Sequence, residues 1–211
     1  MLTQTLQPRS TQARDRVLEA ACHLFATHGY QAIGLRDLAK HLGMQAGSLY
    51  HHIESKQSLL FELIECSLTD LIYETRQAIK RSRTPAERLQ TFVQAFVSFS
   101  QENPDHLILM TREAVNLDDD QSRQIQGLQA TYTELLANIV ADECGVPSCH
   151  SRVVSIAHAV ICMLCGQAHW STPRSAPSSL PQMLVGFVRG IVGTGRPGAQ
   201  MEQSVYAVAH R

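Results

Sequence analysis

The 211-residue chain lacks a dominant charge: 18 Lys and Arg stand against 19 Asp and Glu, a formal net charge of −1. A uniformly basic nucleic-acid binder and a strongly charged disordered chain are both excluded, and only a local asymmetry of charge remains open. Long hydrophobic runs are also missing. The longest, residues 153–165, is interrupted by Ser155 and His158 and falls short of the roughly 20 residues that cross a bilayer. Residues 1–10 lack the continuous apolar stretch of a secretory signal. A cytoplasmic protein with no membrane partner is therefore expected, and its six cysteines read as reduced thiols rather than a disulfide framework. Period-2 alternation is scarce, which argues against a sheet. No glycine-rich phosphate loop and no nucleophile–base arrangement is recognisable, so no enzyme, no catalytic residue and no cofactor is expected.

What is present is helical patterning on a composition that is 44% hydrophobic, enough to build a sizeable core. Apolar residues recur at three and four positions. Val17, Leu18, Ala21, Leu24 and Phe25 form one stripe over residues 11–28, with Ser10 or Thr11 as the expected cap and Gly29 as the stop. Short helices follow at residues 35–42, ended by Gly43, and at 45–52. A long helix spans residues 55–81, and Thr84-Pro85 with Glu87 opens another that Asn103-Pro104 breaks. Further helices are expected over residues 105–115, from the acidic run 118–120 to about 143, over 153–170, and over 184–192, with a Pro- and Ser-rich connection at 173–181. The fold class is all-α, with about nine helices.

Charge divides unevenly along this series. Residues 1–60 carry six basic and four acidic side chains, +2, and the remainder 12 against 15, −3; five of the ten histidines also lie in the first segment. The expected division is a small head at residues 1–55, a larger helical body at 56–195, and a flexible tail at 196–211, where composition turns to Gly, Pro and Gln.

Residues 35–53 have the order of a helix-turn-helix: a first helix with Leu38, Ala39 and Leu42 available to the core, Gly43 for a tight turn, and a second helix anchored by Leu49. Gln45, Ala46, Ser48 and His51 are left nearer the outer face. The surrounding strings are more specific. Arg-x-x-Val-Leu-Glu-Ala-Ala-x-x-Leu-Phe-x-x-x-Gly-Tyr at 14–30, Leu-Arg-Asp-Leu-Ala-Lys-His-Leu-Gly-Met at 35–44 and Gly-Ser-Leu-Tyr-His-His-Ile-Glu-Ser-Lys-Gln-Ser-Leu-Leu at 47–60 resemble the DNA-binding domain of TetR-type (TetR/AcrR family) transcriptional regulators.

That resemblance implies a helix-turn-helix head on a helical ligand-binding and dimerisation domain. It also implies that Tyr50 and Lys56 contact DNA phosphates, work that both residue types suit. Arg36 can reach a phosphate, while Gln45, Ala46 and His51 are the candidates for base edges: Gln pairs with adenine, Ala meets a thymine methyl, and His donates to an acceptor. With Gly34, Leu35, Gly47, Ser48 and His52 these form the expected DNA-contacting set. Three positions depart from the family pattern. Gly34 stands where a Ser or Thr cap is usual, Gln45 replaces a small hydroxyl residue, and Ile53 replaces an aromatic.

For the body, a pocket among helices should be mostly apolar with few polar groups. Phe92, Phe96, Met110 and Trp170 are the expected lining, with Arg112 or His158 as polar contacts. His-Leu-Ile-Leu-Met-Thr-Arg-Glu-Ala at 106–114 and Gly-Gln-Ala-His-Trp at 166–170 are similar to the subgroup of TetR-type regulators that control fatty-acid, sterol or related acyl-CoA degradation, which implies a small hydrophobic, acyl-like effector. The partners expected are a palindromic double-stranded DNA operator, that effector, and a second copy of the chain paired through residues 153–170 and 184–192. A repressor released by its effector is the expected mode. A metal- or thiol-redox-responsive regulator built on Cys162-x-x-Cys165, with Cys144, Cys149 and His150 near in sequence, is the alternative, although no second Cys-x-x-Cys completes a metal signature. A helical adaptor with weak DNA binding is a further one.

Overall fold

The structure, a computed structural model, describes residues 9–170 and 180–195; the expected tail and nearly all of the Pro/Ser connection lie outside them. Among the described residues there are nine α-helices and no strand. They are α1 (Arg9–His28), α2 (Leu35–His41), α3 (Ala46–Leu49), α4 (Lys56–Ile79), α5 (Pro85–Glu102), α6 (Pro104–Ile108), α7 (Asp119–Cys144), α8 (Ser151–Trp170) and α9 (Leu180–Gly193).

Local chemistry accounts for most of the boundaries. Gly29 takes φ +86 and returns its N–H to the Phe25 carbonyl at 2.9 Å, closing α1 in a conformation that a side chain would resist. At α2 Gly34 offers no side-chain cap, and only the other half of a capping box is made: the Asp37 carboxylate accepts the Gly34 N–H at 2.9 Å. Ser55 Oγ accepts the Ser58 N–H at 2.9 Å ahead of α4. Thr84 and Glu87 form a reciprocal capping box at the head of α5, and Asp118 Oδ1 accepts the Gln121 N–H at 2.9 Å to start α7.

Three expectations need correction. α1 begins before Ser10 and Thr11, so neither stands at the cap position. The expected helix at 45–52 is a single turn, because beyond Leu49 the N–H groups of His51 and His52 bond three residues back, to Ser48 and Leu49, and the chain tightens out of the α pattern. The expected helix at 105–115 is three conformations in series: α6, a π-helical turn at Leu109–Glu113 and a 3-10 turn at Ala114–Asn116. Thr111 contributes to the break, since its hydroxyl donates to the Leu107 carbonyl at 2.7 Å.

The chain packs as two compact units. Residues 9–72 with 99–129 form the first, and 73–98 with 130–170 and 180–195 the second. In the first, Phe25, Leu38, Leu49, Leu59, Leu60, Ile64, Leu109 and Ile125 are fully buried. In the second, Leu89, Phe92 and Phe96 of α5 share burial with Leu136 and Val140 of α7, Val160 and Leu164 of α8 and Val188 of α9. Burial of each such side chain contributes about 1.5–3 kcal/mol relative to exposure, so either core is held by packing rather than by helix propensity. No helix of the described residues is long and apolar enough to cross a membrane.

Candidate nucleic-acid interface

α2, the turn at Gly43 and α3 fix the head. Gly43 takes φ +65, the Met44 N–H reaches the Ala39 carbonyl at 2.9 Å, and the inner residues Leu38, Ala39, Leu49 and Ile53 are buried. The outer edge is left open. Arg36, Lys40, Gln45, Gly47, Ser48 and His51 are exposed and Tyr50 is 59% exposed, whereas Gly34, Leu35, Ala46 and His52 are half-buried. Gln45 occupies the position before α3 without capping it through its side chain, so its amide is free to meet a base edge. Gly47 has open space where a Cβ would stand, and adds no bulk to the surface. The expected contact residues from Gly34 to His52 therefore fall on one short supersecondary unit, with apolar residues behind it and polar ones in front.

Lys56 is placed differently. Its ammonium lies 4.0 Å from the centroid of the Tyr30 ring and 5.9 Å from that of Phe25. Desolvation lowers its pKa from the ordinary lysine value, and nearby Glu113 pulls it back upward. The side chain is half-buried, and its charge is shared between an aromatic face and whatever lies outside.

Around Tyr30 the structure assembles polar groups that the sequence pattern does not announce. The Tyr30 hydroxyl donates to Gln57 Oε1 at 2.8 Å, and its backbone N–H donates to Glu113 Oε2 at 3.2 Å. Gln57 Nε2 donates to the Asn116 carbonyl at 2.9 Å and to Gln121 Oε1 at 3.1 Å. Asn116 in turn donates to Glu113 Oε2 at 2.9 Å and accepts from Gln31 Nε2 at 2.7 Å. The only forewarning in the sequence is the Gly29-Tyr30 pair; Gln57, Glu113 and Asn116 are distant in the chain and look like surface residues.

The expected effector residues are divided between the two units. Phe92 and Phe96 are fully buried in the second unit, Met110 is buried in the first, and Arg112 is exposed in the first. His158 is exposed on α8, and the Trp170 side chain lies outside the described residues. What the second unit does hold in its core is a hydroxyl pair that the sequence reading missed. Tyr132, stacked on Phe92 with ring centroids 4.9 Å apart, places its hydroxyl 3.3 Å from that of Thr75, and both residues are buried. Burial pushes the Tyr132 phenol well above the ordinary tyrosine range. Its signal was hidden by polar neighbours in Gln129-Ala130-Thr131-Tyr132-Thr133-Glu134.

The cysteines are dispersed. Cys144 is buried, Cys149 and Cys162 are exposed, and burial with Cys162 beside it pushes Cys165 up to about 11, away from thiolate. Among the described residues no three His, Cys, Asp or Glu side chains are grouped as a metal site would need.

Residues 17–63 match the model of bacterial regulatory proteins of the tetR family, and residues 82–174 match that of the tetracyclin repressor-like C-terminal domain. The HTH-type transcriptional repressor KstR2 of Mycobacterium tuberculosis is 33% identical over 104 residues, covering 49% of this chain and 52% of that protein. This chain spans about half the length of that repressor and about two thirds of the HTH-type transcriptional activator FasR of Mycolicibacterium smegmatis, to which it is 22% identical over 145 residues. Among solved structures, the TetR-family regulator PfmR of Thermus thermophilus is 28% identical, with a TM-score of 0.74 over 85% of this chain and 98% of that one. AibR, solved with isovaleryl coenzyme A and operator DNA, shares the fold at 19% identity and a TM-score of 0.72, over 84% of this chain and 96% of that one.

Proposed function

The chain belongs to the TetR family of bacterial regulatory proteins, and from that membership we propose that it is a cytoplasmic transcriptional repressor that binds a palindromic operator as a homodimer and leaves it when a small hydrophobic effector binds. The observation that carries the reading is the head itself: an anchored Leu49 with Gln45, Ser48, Tyr50 and His51 exposed on the side that faces a groove. Tyr50 and Arg36 hold phosphates, Gln45, Ala46 and His51 read base edges, and Lys56 adds charge from the start of α4. Net basicity of the head is small, +2 over residues 1–60, so affinity rests on a few placed contacts more than on a broad positive field.

A palindrome read by two heads requires a two-fold partner, with half-sites about 34–36 Å apart. α8 and α9 supply the self-complementary face. Ser155, His158, Ala159 and Cys162 on α8, and Met183, Gly186, Phe187 and Gly190 on α9, are exposed at helical spacing, and the small residues permit close approach. Met183 and Phe187 are 47% and 56% exposed, apolar area that a second copy would cover.

The effector is an acyl-CoA or a fatty-acid-like molecule. Support comes from AibR, which shares the fold and whose structure holds isovaleryl coenzyme A together with operator DNA. The division into a reading head at residues 1–55 and a sensing body at 56–195 belongs to the same reading.

Selection of bound duplexes from a random pool tests the first half. An enriched palindrome supports it, and enrichment of none overturns it. Titration of the selected complex with straight- and branched-chain acyl-CoA thioesters tests the second. Release by these thioesters supports it; release only by an unrelated compound overturns the effector assignment and leaves the DNA assignment standing.

A further inference from the structure

Gln57, in the first turn of α4, commits both ends of its side-chain amide to groups far away in sequence. Its Oε1 accepts from Tyr30, and its Nε2 donates one hydrogen to the Asn116 carbonyl and the other to Gln121 Oε1. The arrangement admits one orientation of the amide. Flipped, Oε1 would face the Asn116 carbonyl, two acceptors without a proton between them. Gln57 thereby ties the corner after α1, the 3-10 turn at Ala114–Asn116 and the first turn of α7, all within the first unit.

The corner it holds is already constrained from two other sides. Glu113 accepts the Tyr30 N–H, and the Lys56 ammonium lies on the Tyr30 ring. The π-helical turn at Leu109–Glu113 and the 3-10 turn after it, where regular α geometry fails, bring Glu113 and Asn116 into reach. Lys56 aside, the members of this network, Tyr30, Gln57, Glu113 and Asn116, do not lie on the exposed edge of α2 and α3, so their arrangement is suited to placing the head rather than to touching DNA.

We propose that Gln57 is a positioning residue for operator binding, acting through Tyr30 and the segment 113–121 to hold the reading head in the orientation that α2 and α3 need. The inference rests on the operator-binding reading above. Two heads must meet half-sites at a fixed spacing, and a head free to rock about α4 loses affinity through the ordering it must undergo at each encounter. Removing the tie costs about tenfold in affinity, the effect of losing one to two net hydrogen bonds' worth of ordering.

The test uses the full chain and the duplex that the wild type selects from a random pool. Gln57→Met keeps the length of the side chain and removes its donors and acceptor; Tyr30→Phe removes the other end of the first bond. Each is expected to weaken binding by about tenfold with the salt slope and the preferred base sequence unchanged, because no phosphate or base contact is lost. The double variant is expected to be less than multiplicatively worse, since both act on one network. A loss of thermal stability with unchanged affinity far below the melting temperature overturns the proposal, and so does a reduced salt slope, which would mean that Gln57 contacts the backbone. A wild type that selects no duplex overturns the operator-binding reading and this inference with it. A wild type that binds, with Gln57→Met binding equally well, overturns this inference alone.

Discussion

Thr75→Val is the sharpest probe of the core of the second unit. Thr75 is 0% exposed and Tyr132 4% exposed, so neither hydroxyl can turn to solvent when its partner is lost. Val matches Thr in shape and removes only the hydroxyl, which leaves the Tyr132 phenol stacked on Phe92 with nothing to bond. An unsatisfied buried hydroxyl costs about 1–3 kcal/mol, part of which the added methyl offsets, giving a net loss of about 1–2 kcal/mol. The reverse deletion is milder. In Tyr132→Phe the Thr75 hydroxyl can fall back on the carbonyl four residues earlier in its own helix, so the expected loss is about 0.5–1 kcal/mol.

Thermal unfolding followed by circular dichroism measures both. At roughly 2–4 °C per kcal/mol for a chain of this size, Thr75→Val should lower the Tm by about 2–8 °C and Tyr132→Phe by about half as much. The double variant should lose less than the sum, with a coupling of about 1 kcal/mol, because removing both hydroxyls strands neither. Equal single losses, or losses that add to within about 0.3 kcal/mol, would refute the reasoning. Alkaline absorbance titration gives an independent check, since burial pushes the Tyr132 phenol well above the ordinary tyrosine range and one tyrosine should stay protonated while the fold holds.

Other consequences are as direct. Gln45→Ala should change which duplex is preferred with little effect on the salt slope, while Arg36→Ala should weaken binding to all duplexes and reduce that slope by about 1 per contact, both read by fluorescence anisotropy across a salt series. Phe187→Glu places a charge on the exposed face of α9 and should convert the proposed dimer to monomer in analytical ultracentrifugation; if that dimer forms through α8 and α9, Cys162 of the wild type should react with iodoacetamide more slowly than Cys149, although both are exposed in the protomer. Cys22 is pushed up to about 12 by burial, with Asp105 adding to the shift, from the ordinary 9.0. Its folded pKa is the higher one, so the stability it contributes is fully present below pH 9 and lost as pH rises toward 12; Cys22→Ala should flatten the alkaline fall of the denaturation midpoint in that window.

How far the sequence could be read follows from the range of each interaction. Gly29 and Gly43 end their helices as expected, because positive φ is a property of the residue itself. The apolar stripe of α1 and the anchor Leu49 were legible for the same reason: a 3.6-residue period within one element needs no knowledge of its partner. α3 is shorter than expected where that period is too short to register, since one turn of helix and two turn-like residues have the same pattern over residues 45–52. At residues 105–115 the apolar spacing is helical, yet the backbone passes through α, π and 3-10 geometry, and what stabilises the passage includes bonds from Glu113 and Asn116 to Tyr30, Gln31 and Gln57, far away in sequence. Tyr132 escapes a sequence reading because its polar neighbours mask a buried position, and Lys56 reads as pointing outward because a charged residue at a helix start looks solvated until an aromatic face is known to lie beneath it. The exposed edge of α2 and α3, the proposed DNA contact, depends on local pattern and could be read; the network around Tyr30 depends on long-range pairs, and only the folded chain brings Gln57 within 3 Å of polar atoms of both Tyr30 and Asn116.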